Sequence, residues 1–176
     1  MRTFYESLER MLANVTKVKY DLARRLDRGT KDLFPTPELR YRREDGVECN
    51  GPTLTEMVEA AQQCRLLVDE AFRRDLPDRI LARISEDERL FAYGERTLRY
   101  YDACVKAWQA VRTENADEAR RQLAEAARLA DLLQEDTEST KHSSSHANAA
   151  NAFEASRATH AIERLRRAID AFEKGQ

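Results

Sequence analysis

Glycine and proline are scarce in this 176-residue sequence, at five and four residues. So few chain breakers leave little means of making the frequent tight turns that sheet proteins need, and no stretch shows a strand pattern above background. Aromatic residues make up only 7%, with a single tryptophan, and histidine occurs three times. No apolar run approaches the roughly 20 residues that span a bilayer, so no membrane partner is expected. The opening "MRTFYESLERML" lacks the apolar core of a signal peptide. Cys49, Cys64 and Cys104 form no CxxC and leave at least one thiol unpaired, so free cysteines are expected and no redox compartment is specified. The net charge of −2 lacks the basic excess of a general nucleic-acid binder. Asn14-Val-Thr16 matches a glycosylation acceptor but falls within a helical pattern, which favours chance.

What is abundant is charge, 35% of residues, mixed with 41% hydrophobic residues. That is the balance of amphipathic helices with solvated outer faces. Phe4, Leu8, Met11, Val15, Val18 and Leu22 recur at steps of four and three, a stripe suited to a coiled-coil-like partner, and Gly29 is placed to end that helix. Residues 29–52 hold three of the four prolines and three of the five glycines, and read as one long loop. Thr53 and Glu56 then form a capping-box pattern after Pro52, with Leu54, Met57, Val58, Ala61, Cys64, Val68 and Phe72 expected inward. Pro77 marks the next boundary. The helical pattern from Asp78 to about Arg112 would be roughly 50 Å long if unbroken, and Ser85 with Glu88 suggests a second cap and a break there. Asn115 opens a further helix with Ala119, Leu123, Ala126, Ala130 and Leu133 inward. Residues 137–146 supply turn formers without an apolar anchor and read as a Ser-rich linker. The last helix is alanine-rich at its start, which suits close packing, and then carries Phe153, Ile162, Leu165, Ile169 and Phe172. The expected fold is all-α: one domain over residues 1–176, an up-and-down bundle of four to five helices with a long loop after the first.

Catalytic signatures are sparse. A di-iron carboxylate bundle needs paired Glu-x-x-His motifs, but Ser139, Ser143 and Arg157 stand three positions before His142, His146 and His160. P-loop, Rossmann and Gly-x-Ser-x-Gly patterns are missing. Serines adjacent to histidines in sequence, Ser144 among them, do not constitute a triad, which is spatial and needs an orienting acid. No cofactor is implied. His142 and His146, spaced i and i+4, would share a helix face and could ligate one metal ion, with Glu163 as a further carboxylate. The competing reading puts both histidines in a Ser-rich turn. A second cluster, Tyr93, Arg96, Tyr100 and Trp108, interleaves aromatics with arginine and could form a binding surface that stacks on sugars or bases. At helical spacing, core packing is favoured for the aromatics, with Arg96 and Arg99 solvated or paired to acids such as Asp102. Gly94 in the same stretch suits a bend or a close helix approach.

Residues 76–108, "LPDRILARISEDERLFAYGERTLRYYDACVKAW", resemble the helical regions that follow the catalytic barrel in uncharacterised bacterial glycoside-hydrolase-like proteins. The likeness lies in an Arg-Ile-rich helix entering an acidic turn, then Phe-x-Tyr and Tyr-Tyr on one long helix, about a fifth of the chain. It implies an accessory bundle whose partner is another domain or protein chain, and it transfers no catalytic residue to any position here. The leading expectation is a non-catalytic interaction domain, with a metal-binding bundle and a self-associating homo-oligomeric scaffold as alternatives.

Overall fold

The structure, a computed structural model, describes Phe4, Glu6, Ser7 and residues 53–141 and 155–174. Among the described residues there are four helices and no strand: α1 (Leu54–Phe72), α2 (Asp78–Arg112), α3 (Ala116–Lys141) and α4 (Ala155–Lys174). The all-α bundle expected from the sequence is the observed architecture. The 29–52 loop and the first stripe beyond Phe4 lie outside the described residues.

The capping box forms as the sequence predicts. Thr53 N donates to Glu56 Oε2 at 2.7 Å, and Glu56 N donates to Thr53 Oγ1 at 3.2 Å. A reciprocal cap satisfies two of the donors left orphaned at a helix start. From it α1 buries Leu54, Met57, Val58, Ala61, Cys64 and Val68. Phe72 departs from the expected inward face and is 44% exposed. Near its end, α1 instead turns Leu67, Val68 and Ala71 toward α2, one step away from Phe72 around the helix.

α2 begins at Pro77, whose carbonyl accepts from Ile80 N at 2.8 Å. It runs unbroken for 35 residues, so the break expected near Ser85 is absent. Ser85 stays exposed, and the Glu88 carboxylate that would complete a second cap is engaged by Arg65 of α1. The helix ends where Glu114 takes a left-handed φ of 59°, a conformation costing a non-glycine residue about 1 kcal/mol. Asn115 Oδ1 then accepts from Glu118 N at 3.1 Å and starts α3. That helix continues to Lys141, five residues into the stretch read as a linker, because residues 137–141 are polar but contain no glycine or proline to stop it.

Short connections after α1 and α2 enforce antiparallel neighbours. The ion pairs follow that register: Arg96 near mid-α2 meets Asp136 late in α3, whereas Arg99 meets Glu125 nearer its start. Arg120, early in α3, pairs with Glu173 at the end of α4. α2 packs on all three other helices. The core between them holds Met57, Cys64, Leu98, Tyr100, Leu129, Leu133 and Leu165. Buried Ala103 and Ala107 of α2, Ala126 of α3, and Ala158 and Ala161 of α4 contribute small side chains to the same core, which is the role the alanine-rich composition implies for α4. A smaller satellite of Ala110, Ala119 and Ile169 closes the end near the α2–α3 turn.

Candidate functional site

The most distinctive side-chain constellation lies between α1 and α2. Arg65, half-buried on α1, reaches across to α2 with its whole guanidinium. Nε and Nη2 donate to Glu95 Oε2 at 3.0 and 2.7 Å, and Nη1 donates to Glu88 Oε1 at 2.8 Å. Glu88 and Glu95 are seven residues apart, two helical turns, so both carboxylates face the same neighbour. Phe91 sits between them, and Arg65 Cζ lies 4.9 Å from its ring centroid, within cation–π range. Phe4 meets the same ring edge-on at 6.2 Å, and its carbonyl accepts from Cys64 Sγ at 3.7 Å. Glu95 is only 8% exposed, so the guanidinium supplies the compensation that a buried carboxylate requires.

Beyond this clamp, toward the α1–α2 turn, the helices separate around an apolar cleft of about 330 Å³. Leu67, Val68 and Ala71 line it from α1, Leu76, Ile80 and Ile84 from the turn and α2, and Phe4 from the N-terminal segment. Its charged lining residues are Glu70, Arg74 and Asp87, and Glu70 and Arg74 form an ion pair with each other. The volume is at the lower end of ligand-sized clefts, but such sites place a few polar groups to orient a small molecule. This wall offers aliphatic surface with charge at its edge. Leu66 and Phe72 of α1 are also exposed, at 61% and 44%.

The tyrosine-arginine cluster does not converge on a surface. Tyr100 is 2% exposed in the core, stacked edge-on with Tyr101 at 5.2 Å, and burial drives its phenol pKa upward. Tyr93 and Trp108 are half-buried and pack against the same core. Arg96 pairs with Asp136 and Arg99 with Glu125, while Asp102 is taken by Lys106. The arginines therefore bind acids on α3, not Asp102. Gly94 is buried within the unbroken α2.

Of the metal candidates, His142 and His146 lie outside the described residues. Glu163 is exposed on α4, 4.0 Å from Arg167, and lines a second cleft of about 200 Å³ with Asp131 and Arg166. His160 is exposed on the same helix. Among the described residues no three His, Cys, Asp or Glu side chains are grouped to hold a metal ion. Cys64 and Cys104 are buried free thiols. Burial, with Glu95 adding to it, pushes Cys64 up to about 11, and burial pushes Cys104 up to about 12. Thiols so protonated are poor nucleophiles.

Sequence reading missed the clamp and the cleft. Arg65 falls in an ordinary polar position of α1, and Glu95 sits in a stretch whose tyrosines draw attention first. The signal was Glu88 and Glu95 at two-turn spacing around Phe91. Among the described residues, no helix is long and apolar enough to cross a membrane. No family model, curated protein or solved structure matches the chain.

Proposed function

We propose that this chain is a non-catalytic helical bundle that packs against another domain or protein chain, and that the cleft between α1 and α2 receives apolar side chains of that partner. The observation that carries the reading is the cleft: a concavity of about 330 Å³ walled by Leu67, Val68, Ala71, Ile80 and Ile84. Burying one aliphatic side chain in such a place is worth about 1.5–3 kcal/mol, and anchors of this kind dominate interface energetics. Arg65 holds Glu88 and Glu95 across one end, so the two walls are fixed before a partner arrives, which lowers the ordering cost of binding. The resemblance of residues 76–108 to helical regions beside a catalytic barrel supports an accessory role in a carbohydrate-processing protein, and α2 is the helix that carries both the resemblance and one wall of the cleft.

The size of the chain's assembly in native cell extract tests this reading. The parent chain is expected to migrate well above its own 20.3 kDa, and Ile84→Asp to return it to the monomer position. Parent and variant both migrating as monomers would sink the proposal. Purified chain that alone migrates as a dimer, and loses this with Ile84→Asp, would assign the cleft to a second copy instead.

A further inference from the structure

We draw no further inference here: the strongest candidate, the apolar cleft between the end of α1 and the start of α2, belongs to the site already described, and nothing in the structure shows which occupant covers it.

Discussion

Arg65 and Glu95 join α1 to α2 through two donors on one carboxylate oxygen, at 3.0 and 2.7 Å, with the Glu95 side chain only 11% exposed. An ion pair at the surface is worth little. Here removing the cation strands a nearly buried carboxylate, which carries the larger penalty of an uncompensated charge.

Arg65→Met is therefore expected to destabilise the chain by about 2–3 kcal/mol, a fall of about 4–12 °C in Tm for a protein of this size. Adding Glu95→Leu to that variant should restore part of the loss, because the stranded charge is then gone. Urea denaturation of the single and double variants checks this. A single variant as stable as the parent would mean that the clamp does not hold the two helices together. Arg120→Ala, which removes a solvent-exposed pair with Glu173, should shift the midpoint much less.

Alkaline pH should weaken the fold for a reason built into its core. Cys64 and Cys104 rise from the ordinary 9.0 to about 11 and about 12 through burial, and Tyr100 rises as well. The folded chain therefore binds more protons than the unfolded chain above pH 9. The stability these groups contribute is fully present below that point and is lost as pH climbs through their folded values, at up to about 1.4 kcal/mol per pH unit for each group. Urea midpoints should fall as pH rises from 9.0 toward about 11, and Cys64→Ala should flatten the slope. A midpoint independent of pH over this range would contradict the placement of both thiols.

The cleft wall and the core should respond differently to substitution. Leu133 is fully buried, so Leu133→Ala is expected to cost about 2–5 kcal/mol. Ile84 is half-buried on an open wall, and Ile84→Asp should cost about 1 kcal/mol, as in most single substitutions. Thermal denaturation of the two variants decides the matter. Equal, large losses would show Ile84 to be a core residue and not an available docking surface.

Helix identity was legible because it rests on local signals. The Thr53–Glu56 box, Pro77 and Asn115 each mark a start that the structure realises, and periodicity alone placed Met57, Cys64, Ala126 and Leu133 inward. The errors came where tertiary contacts override local preference. Glu88 could cap a helix at Ser85 in isolation, but Arg65 takes its carboxylate. Phe72 continues the apolar period of α1, yet the helix has turned a neighbouring face toward α2 by then. Ile80 and Ile84 continue the apolar pattern of α2 yet line an open cleft, because periodicity reports which face is apolar and not how far the facing helix stands from it. The clamp was hidden for the same reason: Arg65 and Glu95 are 30 residues apart, and only the hairpin brings them together.

Site-specific photo-crosslinking in the native cell asks the cleft itself what it touches, with a photoreactive side chain placed at Ile84 or, as a control, at exposed Ala82 of the same helix. One discrete adduct is expected between position 84 and a second, different polypeptide, absent from position 82 and abolished by Ile80→Asp on the same cleft wall. An adduct confined to this chain's own residues, or the same products from both positions, would contradict a docking cleft for a partner.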